Sequence, residues 1–349
     1  MLAYIVKRLL LMIPTLIGIL LVSFAIIQFV PGGPVEQLVQ ELRGASLAGE
    51  VSTSSAGLYR GGQGVDTERL KEIRELYGFD KPATQRFIEM LERYARFDLG
   101  YSYFHHKSVW QLIIDKLPVS ISLGLWSFLL VYAVSIPLGI AKAVRNGSRF
   151  DLWTSTAILV GYAVPGFVLG VALLVFFGGG SFLQWFPLRG LTSDDWSELS
   201  LAGKVTDYFW HLAMPLTCLV VGSFAVTTML TKNTFLEEVR RQYVMTARAK
   251  GLSERRVFYR HVFRNALIPL VTAFPAAFIG AFFTGSLLIE TLFSLDGLGL
   301  LSYEAVVKRD YPVVLGSLYV FSLLGLITKL ITDVLYTWVD PRVKFGADA

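Results

Sequence analysis

Long apolar runs dominate this chain and limit the folds open to it. Residues 9–30 hold no charged side chain, and a run of that length is enough for a helix to cross a bilayer. The chain as a whole is 54% hydrophobic with a mean hydropathy of +0.54, which is too apolar for an ordinary soluble domain. Five further apolar runs follow, at 117–141, 152–177, 211–230, 266–293 and 312–339. The sequence therefore predicts an all-α membrane protein with six transmembrane helices.

The first run follows a short basic head, an arrangement that signal peptides share. Lys7 and Arg8 precede it, but the apolar core is longer than that of a signal peptide and no small-residue cleavage pattern follows. We expect a retained first span that ends at Pro31-Gly32-Gly33-Pro34, because this string cannot continue a helix.

The stretch 31–116 is polar and contains no further span. Asp66 or Thr67 can cap one helix, and Pro82 suits the first turn of another. The sequence predicts a small helical insertion here. We expect four parts in all: a head with the first helix (1–30), the extracytoplasmic insertion (31–116), a five-helix core (117–340) and a tail (341–349).

A basic loop at 231–265 separates the fourth and fifth runs. Residues 234–250 have the composition of a helix, Gly251 can close it in a left-handed conformation, and Ser253 can cap a second helix. Judged by charge alone, a solvated face lying against anionic headgroups explains the loop equally well. Its basic residues include Arg248, Lys250, Arg255, Arg256, Arg260 and Arg264.

The order of residues in this loop favours a more specific interpretation. Met245-Thr246-Ala247, followed after three residues by Gly251, resembles the EAA---G loop of binding-protein-dependent ABC importer permeases. The longer string TARAKG…RHVFRNALIP is similar to the oligopeptide/dipeptide branch of that family. Met245 and Thr246 replace the usual Glu and Ala, and Arg264 stands where most families have proline. The resemblance implies that the loop docks on a cytoplasmic ATPase subunit. The implied contact residues are Thr246, Ala247, Arg248, Ala249, Lys250, Gly251, Leu252 and Ser253.

Other strings carry the same resemblance. IETLFSLDGLGLL…RDYPV is similar to the segment after span five in peptide permeases, with Asp296 where proline is usual. In several importers this segment reaches toward the binding protein, which implies a role for Asp296, Gly297, Gly299, Arg309 and Asp310. The ending Asp340-Pro341-Arg342 also resembles the family. The PGGP turn and the YRGGxG string are similar to the branch that imports microcin C-type and other oligopeptides.

Basic residues also predict the orientation. They concentrate in the head, in 142–151, in 231–265 and in the tail, while the short loops between them hold few. The positive-inside rule then places both termini in the cytoplasm. The short outer loops hold Arg189, Lys204, Lys308 and Arg309.

Few ionisable residues fall inside the apolar runs. Lys329 and Asp333 are four apart and can pair on one helix face, and we expect Glu290 to contact the 294–311 loop. A proton-coupled carrier is expected to bury more such groups near the midplane. The scarcity argues against that class, although a secondary transporter or channel that works alone stays an alternative.

These observations together predict the function. The chain has no G-x-x-x-x-G-K-[ST] and no H-E-x-x-H string, so we expect no catalytic, cofactor or metal site in it, with ATP and Mg on partner subunits. The resemblance implies a peptide importer in a bacterial inner membrane that works by alternating access. The same architecture serving nickel chelates or glycosides stays open. The implied partners are a homologous second permease, two ABC ATPase subunits or a fused double ATPase, an extracytoplasmic peptide-binding protein, the peptide and membrane lipid.

Overall fold

The computed structural model describes residues 2–29, 81–102, 104–179, 182–283 and 287–339. Regular structure in these residues is helical, with two isolated bridges between Tyr101 and Ser108 and between Gly178 and Gln184. The helix predicted from Asp66 or Thr67 lies outside the described residues, as do the PGGP turn, the YRGGxG string and the terminal Asp340-Pro341-Arg342.

The helices follow one another with short connections over most of the described chain. In chain order they are α1 (Leu2–Phe29), α2 (Ala83–Ala95), α3 (Val109–Val144), α4 (Arg149–Ala163), α5 (Gly166–Phe177), α6 (Leu201–Val239), α7 (Gln242–Ala249), α8 (Glu254–Val257), α9 (Phe263–Ala266), α10 (Ile268–Phe283), α11 (Leu287–Leu292), α12 (Leu298–Val307) and α13 (Tyr311–Val339). A π-helical turn (Phe258–Val262) joins α8 to α9, and a short 3₁₀ turn (Trp196–Glu198) precedes α6.

Several of these helices are suited to a bilayer. Within the described residues, α1, α3, α6 and α13 are long and apolar enough to cross one, and the bent pair α4 and α5 makes a fifth if it counts as one span. The predicted run 266–293 is divided between α10, whose apolar part is shorter, and the six-residue α11. The six-span count stays a prediction.

Proline position explains the bent pair. Pro118 and Pro137 lie inside the continuous helix α3, whereas Pro165 separates α4 from α5, whose axes differ by 91°. Val164 is extended, with φ −88° and ψ 118°, as expected for a residue whose α conformation is blocked by the proline that follows. The span predicted for 152–177 is thus divided into two helices at Pro165, which lies near its middle.

The residues form two compact units. The first comprises 1–8, 116–301 and 324–349. Its larger core joins α3, α6 and α11 with the residues just after α11, and side chains of α5 pack against it. The buried members are Leu123, Leu212, Met214, Leu216, Cys218, Ile289, Phe293 and Leu295.

The second unit comprises 9–115 and 302–323. The helix predicted after Pro82 is confirmed, since α2 begins at Ala83 and buries Tyr94. The Tyr319 hydroxyl donates to the Tyr94 carbonyl at 3.1 Å, and the two rings lie 5.1 Å apart. Val109 is fully buried in the same unit.

A small residue allows α3 and α6 to approach closely. A Cβ added to Gly139 would lie 2.6 Å from the Thr231 Cβ and 2.8 Å from the Thr228 carbonyl oxygen. Membrane helices commonly pack closely at small residues. Lipid is as apolar as the helices themselves, so their association depends on close van der Waals contacts instead of the hydrophobic effect.

We predict that Gly139→Ala destabilises the protein by about 1–3 kcal/mol, because the backbone of α6 occupies the space that a methyl group needs. The matched control is Gly222→Ala on α6, where the part of the chain that the structure describes leaves an added Cβ with no atom within 4 Å. Both variants gain helix propensity, so the difference in Tm of the detergent-purified protein isolates the clash. Equal Tm values for the two variants would contradict the prediction.

Candidate coupling site

The basic loop begins with a turn that the sequence did not predict. One helix was expected over 234–250, but α6 ends at Val239, Arg241 is extended with φ −67° and ψ 147°, and α7 begins at Gln242. The physical reason is burial: the turn lets Val244, fully buried, enter a core that includes Phe235 of α6. Tertiary packing here outweighs the helix propensity of the intervening residues.

A hydrogen bond fixes this turn. The Tyr243 hydroxyl donates to Glu238 Oε2 at 2.5 Å, and the His261 carbonyl oxygen lies 3.3 Å away. Burial raises the pKa of Tyr243, and the hydrogen bond to the Glu238 carboxylate raises it further. The phenol therefore stays protonated at neutral pH and keeps its donor role.

The corner predicted at Gly251 is confirmed. Gly251 has φ +75°, and its N–H donates to the Arg248 carbonyl at 2.9 Å. The Leu252 N–H donates to the Ala247 carbonyl at 3.3 Å, so two carbonyls at the end of α7 are satisfied. Only a residue without a Cβ adopts this left-handed conformation without strain.

A second helical segment follows directly. Ser253 occupies the N-cap position of α8 with φ −61° and ψ 145°, although its hydroxyl makes no capping hydrogen bond. The segment continues through the π-helical turn and α9 to Ala266. The predicted helix, glycine corner and second helix are therefore present, with the serine capping through its backbone conformation alone.

The inner face of the loop is anchored in an apolar core, which we call the loop base. It joins the end of α3, the end of α6 and both arms of the loop. The Phe235 ring lies 5.7 Å from the Phe258 ring and 5.8 Å from the Phe263 ring. The buried members of the loop base are Ala143, Phe235, Val244, Ala247, Val257, Val262 and Ala266.

The outer face carries most of the predicted contact residues. Ala247 belongs to the loop base and Leu252 is half-buried, so these two stabilise the loop more than they offer contacts. Met245, which the prediction omitted, is 62% exposed beside them, and a methionine side chain adapts to many surfaces. The sequence could have indicated Met245, because it directly precedes the predicted contact residues and begins the string that resembles the EAA---G loop. The exposed predicted residues are Thr246, Arg248, Ala249, Lys250, Gly251 and Ser253.

The outer face is also basic. The Arg248 guanidinium spans the corner to Glu254, with Nε 2.8 Å from Oε1 and Nη2 3.0 Å from Oε2. Beyond it, an open groove is lined by Ser253, Arg255, Arg256, Tyr259 and Arg260. These side chains give the exposed side of the loop a concentration of positive charge.

The second predicted site lies in the segment after α11. The expected contact of Glu290 is confirmed: it is fully buried, and its Oε2 accepts from the Leu300 N–H at 2.8 Å. A Cβ on Gly297 would lie 2.6 Å from the Glu290 carboxyl carbon, which explains the glycine there. Gly299 is half-buried in the same turn.

Two residues of α3 that the sequence did not single out hold this segment. Lys116 forms an ion pair with the exposed Asp296. The Ser120 hydroxyl oxygen accepts from the Leu298 N–H at 2.9 Å. Contacts of this kind join residues far apart in the chain, so no local pattern could have indicated them.

Arg309 and Asp310 belong to the second unit. Arg309 is half-buried with φ +55°, and Asp310 is 2% exposed and hydrogen-bonded to the Ser102 hydroxyl. Asp310 thus holds local structure. The structure groups Asp296, Gly297 and Gly299 in one compact unit and this pair in the other.

The pairing suggested for Lys329 and Asp333 is corrected. Asp333 Oδ2 lies 2.5 Å from Arg8 Nη2 and accepts from the Tyr4 hydroxyl at 2.9 Å, while the Lys329 side chain is exposed. Arg8 is preferred because it reaches from α1 with a planar guanidinium, whereas the Lys-to-Asp spacing on one helix is in the less favourable order.

Comparison with known proteins identifies the family. Residues 135–345 match the family described as "Binding-protein-dependent transport system inner membrane component". The chain belongs to this family. As a member, it is a membrane component of a binding-protein-dependent transport system, and the resemblance read from the EAA---G loop is confirmed.

Three curated relatives narrow the branch of this family. The Agrobacterium fabrum protein named Peptidoglycan transport system permease protein YejB is 56% identical over 357 residues, covering 98% of each chain. The Escherichia coli O157:H7 protein named Inner membrane ABC transporter permease protein YejB is 53% identical and covers 98% of this chain and 99% of its own. The dipeptide permease DppB of Escherichia coli K12 is 32% identical, covering 99% of each.

We predict that Glu290→Ala releases the segment after α11, because the part-buried Leu300 N–H loses its acceptor at a cost of about 1–3 kcal/mol. Limited proteolysis of the purified protein should then cut within 294–301 faster than in wild type. Glu290→Gln is the matched control, since its amide oxygen can still accept, and its cleavage rate should stay close to wild type. Equal cleavage of the Ala and Gln variants would show that the carboxylate does not hold the segment.

Proposed function

We propose that this family member is the transmembrane permease subunit of an ATP-driven ABC importer for peptides, including microcin C-type oligopeptides. The observation that carries the proposal is the alignment with the dipeptide permease DppB of Escherichia coli K12, at 32% identity over 99% of each chain. The helix and glycine corner at Gly251 supports it, because a coupling loop needs a rigid, exposed shape.

The name of one relative suggests a second class of cargo. The Agrobacterium fabrum protein is named for peptidoglycan transport. Peptides released from peptidoglycan are therefore a cargo class to set beside free oligopeptides. Nickel chelates and glycosides have no such support among the three relatives.

The proposal includes a topology. Six membrane-crossing helices in a type I importer fold would leave both termini in the cytoplasm, supported by the concentration of Lys and Arg in the head, 142–151, 231–265 and the tail. Large apolar side chains are exposed along α1, α4 and α5, as lipid or a second membrane subunit would require. Examples are Leu10 (62% exposed), Trp153 (71%) and Val160 (62%).

The proposal also assigns the partners. The importer would contain a homologous second permease, two ABC ATPase subunits or a fused double ATPase, and an extracytoplasmic binding protein that delivers the peptide. ATP and Mg would bind on the ATPase subunits, and this chain would be non-catalytic. The absence of a P-loop string from the full sequence supports this division of roles.

The loop provides the means of coupling in this proposal. Closure of the ATPase subunits around ATP would press on the face formed by Met245, Arg248 and Lys250. Because Val244 and Ala247 are buried in the loop base with Phe235 of α6, the loop would follow the end of that helix. The helices would then turn the cavity from one side of the membrane to the other. A shift of this kind requires that the ATPase binds the loop differently in the two states.

The direct test is uptake by the reconstituted complex. Proteoliposomes containing this chain with its partner subunits and binding protein should take up labelled oligopeptides only when ATP is present on the side of the membrane that the ATPase subunits face. Parallel assays with peptidoglycan-derived peptides, nickel chelates and glycosides define the cargo. Uptake that proceeds without ATP, or by this chain alone, would favour a stand-alone transporter and overturn the proposal.

We predict that Gly251→Val uncouples ATP hydrolysis from uptake. The φ of +75° costs a β-branched residue about 1–2 kcal/mol, which corresponds to about a 5- to 30-fold loss in the population of the native corner. No atom of the described residues lies within 4 Å of an added Cβ, so the effect comes from the backbone and not from a clash with them. The measurement is peptide taken up per ATP hydrolysed.

The matched control for this prediction is Gly190→Val. Gly190 has φ +83° in a predicted outer loop, and the nearest atom to an added Cβ is 3.4 Å away. This variant carries the same backbone strain away from the coupling loop and should keep the wild-type ratio. A wild-type ratio in Gly251→Val, or protease access that places the corner outside the cell, would count against the coupling role.

A further inference from the structure

A buried cluster of three charged side chains joins α3, α4 and α6. Lys142 lies in the last turn of α3, Asp151 in the first turn of α4, and Lys232 near the end of α6. Lys232 Nζ lies 2.7 Å from both carboxylate oxygens of Asp151, and Lys142 Nζ lies 3.1 Å from Oδ1. The side chains of Lys142, Asp151 and Lys232 are 0%, 8% and 14% exposed. Charged groups are buried to this extent only when they are paired.

Lys142 satisfies the polar groups of one helical hairpin. Its three N–H groups donate to the Asp151 carbonyl at 3.0 Å, to Thr154 Oγ1 at 2.8 Å and to Ser155 Oγ at 2.7 Å, while its charge faces the Asp151 carboxylate. All these acceptors lie on α4, and Lys142 itself is on α3. This lysine therefore locks α3 to α4 and has a structural task within the hairpin.

Asp151 also organises the turn of the hairpin. Its Oδ2 accepts from the Gly147 N–H at 3.1 Å, and its own N–H donates to Ser148 Oγ at 3.2 Å. The carboxylate thus already has a cation and a backbone donor from the hairpin itself. The ion pair with Lys232 is an additional contact that reaches from the hairpin to α6.

Lys232 lies close to the start of the coupling loop. It is two turns before the end of α6 at Val239, and α7 begins three residues after Val239, at Gln242. On the same stretch of α6, Phe235 is fully buried in the loop base together with Ala143, the neighbour of Lys142. A polar contact and an apolar contact therefore join the end of α6, where the coupling loop begins, to the α3–α4 hairpin.

We propose that the Lys232–Asp151 ion pair is a positioning joint that passes movement of the coupling loop to α3 and α4. This inference rests on the proposed importer function. Apolar contacts in the loop base can slide, because dispersion is not directional, whereas two short charge-assisted hydrogen bonds fix both distance and orientation. The joint makes the hairpin follow α6 when the ATPase moves the loop. It is needed for coupling and is separable from folding, because Lys142 still balances the charge of Asp151 when Lys232 is replaced.

The first test uses Lys232→Met in the reconstituted complex with its ATPase and binding-protein partners. Methionine keeps much of the stem and removes the charge. We expect peptide uptake per ATP hydrolysed to fall at least about fivefold, the lower end of ordinary coupling between sites. Tm should fall less than in Lys142→Met, because Lys142 still faces the Asp151 carboxylate. Lys232→Arg should restore most of the ratio, because its guanidinium can bond both carboxylate oxygens.

Two matched variants separate positioning from stability. Lys204→Met changes the same residue type at the other end of α6 and should leave the ratio unchanged. Lys142→Met removes the structural lysine and should lower Tm, since it orphans several acceptors on α4. A wild-type ratio in Lys232→Met would overturn the inference, as would equal losses of uptake, hydrolysis and Tm in that variant.

A second readout does not depend on cargo. In wild type, trapping the ATPase closed should change amide hydrogen exchange in both 231–265 and 145–152. In Lys232→Met the change should persist in 231–265 and disappear in 145–152. If hydrogen exchange still changed in both segments of Lys232→Met, the proposed role of the ion pair would be wrong. Absence of ATP-driven peptide uptake in wild type would instead overturn the proposed function.

Discussion

Burial of one side of the basic loop at 231–265 is the constraint on which the first compact unit depends. Val244, Ala247 and Val257 lie in the loop base, and this anchor sets which side chains of the loop are exposed. Because the loop base includes Ala143 of α3 and Phe235 of α6, one apolar core joins the loop to the ends of two long helices.

The polar and apolar contacts around this anchor have different roles. Apolar packing supplies burial over a broad area, while the ion pairs of Asp151 fix how the α3–α4 hairpin is placed beside α6. Buried charges are costly unless each is compensated, so the full set of partners around Lys142 is what makes the cluster tolerable. The same logic applies at Glu290, where a buried carboxylate accepts from a backbone N–H and thereby shapes the turn after α11.

The contacts that the structure shows define two local segments. A glycine corner and exposed arginines shape one side of the basic loop. A turn held by Glu290, Lys116 and Ser120 gives the segment after α11 a defined shape. Large apolar side chains are exposed along α1, α4 and α5, as expected for a membrane component.

The sequence by itself determined the helical membrane class, the family, the left-handed corner at Gly251 and the helix after Pro82. These rest on local chemistry: apolar run length, a residue without a Cβ, and a proline with a fixed φ. Only the tertiary structure decided the break at Arg241, the 91° bend at Pro165, the burial of Ala247 and the partners of Asp151 and Asp333. Each of these depends on which distant helices pack together, and packing selects among local conformations whose intrinsic energies differ too little to decide.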